Sequence, residues 1–216
     1  MDHRRPAHGM QRPAHRLAHA LRALALAAAG AACTGATADD GIAITLAHGT
    51  PSEHRVEERL RALIAANDLS RWTFTRRVVI DETEIPHSHP VLTLHARHRQ
   101  DDELLLSTYI HEQMHWFLST RRKQAEAAEA ELRLLYPKIP VGYPEGSSDD
   151  NGNYEHLLVI WLEYRADKDL LGELKAREVM QFWAADHYTW IYAKVLADPH
   201  AIGEVIHKYH LEPGQS

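Results

Sequence analysis

Cysteine is nearly absent: Cys33 is the only one in 216 residues. The chain beyond it can therefore form no internal disulfide and offers no thiolate as nucleophile or metal ligand. Any metal site there has to be built from histidine and carboxylate. Long apolar runs are also missing. The longest conspicuous one, residues 23–32, holds ten residues of alanine, leucine and glycine, and a membrane-spanning helix needs about 20. No internal repeat or low-complexity linker divides the chain into two domains.

Positive charge is concentrated at the start. Arg4, Arg5, Arg12, Arg16 and Arg22 precede the apolar run, and Ala36-Thr37-Ala38 follows it. A basic start, a short greasy middle and a small-residue exit form the pattern of a secretory signal peptide over residues 1–38, cut after Ala38. The alternatives are a short membrane anchor and lipidation of Cys33, which follows Gly30-Ala31-Ala32 but lacks a leucine-like residue three positions earlier. Export to the periplasm or medium is the expectation, with no stable membrane insertion once the leader is gone. Residues 39–216 then form a single domain, long enough to bury a core. That part carries 19 basic and 29 acidic side chains, a net charge of −10. So acidic a surface disfavours nucleic acid and anionic lipid, both polyanions.

The expected fold class is α+β and mainly helical, with a small antiparallel or mixed sheet near the active-site helix. Residues 42–47, 72–80 and 91–96 are rich in β-branched, aromatic or alternating apolar side chains and are expected as strands. Thr50-Pro51-Ser52-Glu53 has the form of a capping box with proline in the first turn, opening a helix to about Asn67. Helices are expected over 101–120, 124–136, 154–171, 176–197 and about 200–210, with a loop at 137–152 rich in proline, glycine and serine.

Histidine is what the chain has in excess, 17 in all and 13 beyond the leader. Two of them stand in His111-Glu112-Gln113-Met114-His115. Histidines four apart on a helix share one face, so both imidazoles can reach one ion. Glu112 beside them is placed to take a proton from a water that the ion activates and pass it to a leaving group. Zn2+ is the expected cofactor, because it makes hydroxide available near neutral pH. For the third ligand the sequence offers Glu163, a carboxylate inside the apolar run 158–164. Such a group is costly to bury without a partner or a metal. The bland alternative is that Glu163 pairs with Arg165. Asp167, one turn later, is expected to accept a hydrogen bond from a ligand histidine. His156, seven residues before Glu163 and on the same face, is an alternative ligand or a substrate contact. His187 and Tyr188 are candidates to stabilise an oxyanion, and each could equally be a packed core residue. His87, His89, His95 and His98 are expected on a loop and strand surface, not at the metal.

These residues resemble the zincin metallopeptidases, and within them the gluzincins, which take a glutamate as third ligand. The rest of the chain looks like a small bacterial family. The resemblance rests on His111-Glu112-Gln113-Met114-His115 and on the Glu163-x-x-x-Asp167 pattern of a later helix. It implies His111, His115 and Glu163 as zinc ligands, Glu112 as general base and Asp167 as support. It also implies a zincin-like domain in which a sheet edge, here residues 91–96, pairs with an extended peptide. The function expected is an exported zinc-dependent hydrolase cleaving peptide bonds in a peptide or protein substrate. Two other classes stand beside it: a non-catalytic zinc-binding module acting as sensor or buffer, and a helical interaction protein.

Overall fold

The structure is a computed structural model that describes residues 41–214. The leader, its cleavage point and Cys33 lie outside these residues. Three short strands and seven helices follow one another: β1 (Ala43–Leu46), α1 (Pro51–Ala66), β2 (Arg77–Ile80), β3 (Leu92–Leu94), α2 (Asp102–Thr120), α3 (Arg122–Leu135), α4 (Asp150–Leu171), α5 (Glu173–Trp183), α6 (Thr189–Ala197) and α7 (Pro199–Lys208). No helix among the described residues is long and apolar enough to cross a membrane.

The sheet has the order β1-β2-β3, and both pairings are parallel, with Ile44 opposite Val78 and Ile80 opposite Leu94. The expected antiparallel or mixed sheet is thus corrected to a parallel one. The reason is visible in the connections. A two-residue hairpin joins antiparallel neighbours, whereas parallel ones need a long crossover. Here α1 fills the first connection, and residues 81–91 supply the second. Parallel strands are covered on both faces and read as apolar runs; Leu92, Thr93 and Leu94 are accordingly all buried. The stretch 72–80 is shorter as a strand than expected. Its first residue, Trp72, is buried and ends a 3-10 turn at Ser70–Trp72.

Helix α4 is the centre of the helical layer and packs against α2, α3, α5, α6 and α7. Helix α2 lies between α4 on one side and β3 and α1 on the other. It is therefore buried almost all round, and residues 104–107, 109–114, 117 and 118 are buried. Gln113 ties it to the sheet layer as a strand would: its Oε1 accepts the N–H groups of Phe74 (2.7 Å) and Thr75 (2.9 Å), and its Nε2 donates to the Thr75 carbonyl (2.9 Å).

The expected helix over 176–197 is two helices. Its break, residues 184–188, contains neither glycine nor proline. Tyr188 sits there with φ 47°, in the left-handed region, which costs a bulky residue about 1–2 kcal/mol. The N–H groups of Thr189 and Trp190, which would otherwise stand unpaired at the start of α6, donate to the carbonyls of Pro144 and Glu145. The loop before α4 thus holds the break open. Gly146 in that loop has no room for a side chain, because a Cβ would lie 2.0 Å from the Pro140 carbonyl oxygen.

The capping box of α1 is present and reaches further than a cap. The buried Glu53 carboxylate accepts the N–H groups of His48 (2.9 Å), Gly49 (2.7 Å) and Thr50 (3.4 Å) on one oxygen and of Glu82 (3.2 Å) on the other. It therefore staples the end of β1 to the end of β2. Burial pushes this carboxyl up, but the four backbone donors outweigh it, and the net shift is below its ordinary 4.5. A depressed pKa stabilises the fold above the unfolded value and loses that contribution as pH falls through the folded one. Glu53→Gln, which replaces an acceptor with a donor facing these N–H groups, should cost about 1–3 kcal/mol at neutral pH. In urea unfolding the gap to the parent protein should narrow as pH drops below 4.5. A gap that stays constant down to pH 3 contradicts the staple.

Candidate metal centre

Two helices supply the centre, and their packing brings three imidazoles together. His111 and His115 are one turn apart on α2, and His156 comes from the first turns of α4. The ring centroids are 5.2 Å (His111 to His115), 5.6 Å (His111 to His156) and 5.0 Å (His115 to His156) apart. One ligand nitrogen from each lies within 4.8 Å of the other two, so the three can hold one metal ion.

In each ring the Nδ1 is already engaged. His111 Nδ1 lies 2.8 Å from Glu163 Oε2, His115 Nδ1 lies 2.9 Å from Glu155 Oε1, and His156 Nδ1 lies 2.7 Å from the Gly152 carbonyl oxygen. Each of these partners is an acceptor, so each Nδ1 carries the proton and the lone pair is left on Nε2. Such acceptors behind ligand histidines fix the tautomer and the ring plane and raise ligand basicity. Burial also keeps two of the rings neutral, as ligation requires. It drives His111 well below its ordinary value and His156 down to about 3, the charge of His115 adding to both. For His115 burial pulls the same way. The Glu155 hydrogen bond and the charges of Glu112, Glu155 and Glu163 outweigh it, and its net shift is upward.

Glu163 and Asp167 stand elsewhere than the sequence suggested. Glu163 is not in the group that can share an ion; it occupies the rear of His111. Its carboxylate also accepts the hydroxyls of Ser107 (2.5 Å) and Tyr192 (3.0 Å), and Trp183 Nε1 donates to Ser107 (3.0 Å). This bracing, and not a pairing with Arg165, is how the buried carboxylate is accommodated. Burial raises Glu163 to about 7, opposed by the Ser107 and Tyr192 hydroxyls. Asp167 bonds to no histidine; Glu163 and Glu155 take the part assigned to it. The residue that stands with His111 and His115 in the group able to share an ion is His156, which sequence reasoning had placed second. Its seven-residue spacing from Glu163 put it on the right face, but nothing in the sequence ranks one turn of α4 nearer to α2 than another.

Glu112 is buried at 5% exposure, where burial raises its carboxyl to about 7. With the three histidines it lines a cavity of about 630 Å³. Tyr188 and His187, both sequence candidates, line the same cavity. The Tyr188 ring lies 4.2 Å from that of His156, placed there by its left-handed backbone. His187 holds its Nδ1 3.0 Å from Asp186 Oδ2, and a bidentate ion pair with Arg97 anchors Asp186 in turn. Sequence reasoning missed Glu155, Ser107, Tyr192, Asp186 and Arg97. The Glu155-His156 and Asp186-His187 dipeptides were the available signals, each an acidic residue beside a candidate histidine.

The edge expected at residues 91–96 is closed. His87 exchanges both backbone hydrogen bonds with Thr93, so the segment Ile85, Pro86, His87 and Ser88 covers β3 and itself lines the cavity. His95 and His98 line it too, contrary to their expected place on an outer surface. His89 stacks on Trp116 at 4.3 Å.

No protein-family model, curated protein or solved structure matches the chain.

The two candidates for third ligand separate on mutation. His156→Ala should abolish stoichiometric zinc binding. Glu163→Gln should leave one zinc per chain but weaken affinity about 10- to 100-fold. Metal titration with a competing chelator reads both, and zinc retained at parent affinity by His156→Ala overturns this ligand set.

Proposed function

We propose that the chain is an exported zinc-dependent hydrolase, and that its substrate is a peptide or protein. The observation that carries this reading is the convergence of three tautomer-fixed imidazoles with the Glu112 carboxyl in one cavity. The donor set suits zinc. Three imidazole ligands would leave a further coordination position free for water or substrate, as in catalytic rather than structural zinc sites. Bound there, zinc would supply a water of lowered pKa and a Lewis acid for a carbonyl oxygen. The likeness to zincins lies in the helix bearing Glu112, while the ligand set follows His156 in place of a glutamate.

The chain's own residues divide the remaining work. Glu112, whose carboxyl burial brings close to neutral pH, accepts the proton of the attacking water at a carboxylate oxygen and delivers it to the leaving amine. The Tyr188 hydroxyl, beside the His156 ring, is the donor that serves the developing oxyanion, and His187, held by Asp186 through Nδ1, packs against it. Trp183, Tyr188 and Tyr192 give the cavity aromatic walls. The segment 85–88, whose His87 bridges to Thr93, lines the same cavity. A peptide can lie along such a segment through main-chain hydrogen bonds with little sequence preference, which favours a peptide over a small ester. The acidic body disfavours nucleic acid as a partner, and the leader read over residues 1–38 supports export.

Glu112→Gln should keep one zinc per chain and lower kcat about 100- to 10,000-fold on a peptide library. A variant with parent activity contradicts the role of Glu112. A zinc-loaded parent protein that cleaves no peptide contradicts the peptidase reading and favours a sensor or buffer.

A further inference from the structure

The cavity continues past the metal centre along α2. Leu105, Thr108 and Glu112 stand at helical spacing on one face of that helix, and all three line the cavity. Thr108 is the one residue from Leu104 to Met114 that is not buried. At 1.5 Å of rise per residue, Thr108 lies about 6 Å and Leu105 about 10 Å along the axis from Glu112. Trp183 from the end of α5, Tyr192 from α6 and His98 from the 3-10 turn Ala96–His98 line the same cavity. The His98 ring stands perpendicular to that of Trp183 at 5.0 Å, and the Trp183 and Tyr192 rings are 6.5 Å apart.

These walls present carbon, because their donors are engaged within the protein. Trp183 Nε1 donates to Ser107 Oγ (3.0 Å), the Tyr192 hydroxyl to Glu163 Oε2 (3.0 Å) and the Thr108 hydroxyl to the Leu104 carbonyl of its own helix (2.8 Å). Nor is a charge left over for an occupant. Apart from histidines, the charged side chains lining the cavity are Arg97, Glu112, Glu163 and Asp186. Arg97 and Asp186 form a bidentate pair with each other. Glu163 is held by His111, Ser107 and Tyr192, and Glu112 works on the attacking water. A charged group placed here would give up its water for walls that offer no partner. An apolar group displaces water that such walls hold weakly. The aromatic planes favour a ring over an aliphatic chain, since aromatic pairs gain beyond the area they bury.

We propose that this end of the cavity is a specificity pocket for an aromatic side chain, carried by the substrate one or two residues from the cleaved bond; the proposal rests on the peptidase reading above. Extended peptide advances about 3.3 Å per residue. With the bond held at Glu112, the next residue or the one beyond it brings its side chain over Thr108. Thr108 is the specificity-determining position: a larger side chain there fills the pocket, and a charged one supplies the partner the walls lack.

End-blocked glycine pentapeptides with phenylalanine, leucine, alanine, lysine or aspartate at the centre test this. On the zinc-loaded parent protein, kcat/KM for the phenylalanine peptide should exceed that for alanine by about 10- to 200-fold, with leucine between them and the charged peptides no better than alanine. Thr108→Trp should reduce the phenylalanine-to-alanine ratio to less than about threefold. Thr108→Asp should place lysine above phenylalanine. One zinc per chain shows that each variant has folded; where neither folds, the order of peptides on the parent decides. Saturation-transfer NMR with zinc-loaded Glu112→Gln reads binding without turnover, and the phenylalanine ring protons should receive saturation where the lysine side chain does not. Cleavage of all five peptides within about threefold of one another overturns the pocket and leaves the peptidase reading standing. A parent ratio retained by folded Thr108→Trp overturns it as well. Ring saturation with no cleavage of any peptide keeps the pocket and refutes the peptidase reading, and absence of both refutes both.

Discussion

An imidazole has two nitrogens, and only one can hold the proton while the other faces a metal. The centre depends on settling that choice three times over. In His111, His115 and His156 the Nδ1 is taken by Glu163, Glu155 and the Gly152 carbonyl respectively. The three remaining lone pairs then belong to Nε2 atoms converging from two helices. The arrangement asks little of the loops. It needs α2 and α4 to pack at one register, which a shared apolar interface sets, and it needs each rear acceptor to be held in turn. Ser107, Tyr192 and Trp183 hold Glu163; the backbone of α4 itself supplies the acceptor for His156. The groups behind the ligands thus span α2, α4, α5 and α6, which ties the metal-binding geometry to the packing of the whole helical layer.

Buried charge is rationed around this centre. Glu163 is surrounded by donors, Glu155 is half-exposed and paired with His115, and Glu112 faces the cavity with its carboxyl raised to about 7. Each carboxyl therefore answers to a different environment, and the environments sort their roles. A carboxylate rich in donors orients a ligand, and one near neutrality moves a proton. Strain enters at Tyr188, whose left-handed backbone breaks an otherwise continuous helix and turns Asp186, His187 and its own ring toward the cavity.

Local signals in the sequence carried the helices well. The capping box at Thr50 and the helical spacing of His111 and His115 act within a few residues of chain, so they are legible there. Long-range choices were not. Parallel and antiparallel pairing of three- and four-residue strands differ in their connections more than in their composition. The break at 184–188 has no glycine or proline to announce it, because the carbonyls of Pro144 and Glu145 enforce it from 40 residues away. The same limit governed the site. His111, Glu112 and His115 follow from helical spacing alone, whereas choosing between His156 and Glu163 requires the depth at which α4 crosses α2. The burial argument marked Glu163 as needing a partner, and the partners it has in the structure are His111 Nδ1 and the hydroxyls of Ser107 and Tyr192.

The central claim concerns which atoms would surround the ion. X-ray absorption at the zinc edge of the loaded protein measures that shell directly. The account predicts three imidazole nitrogens and one light oxygen donor that is not a protein carboxylate, with the spectrum unchanged in shell composition by Glu163→Gln. A shell of two imidazoles and a carboxylate, lost on that substitution, would contradict it.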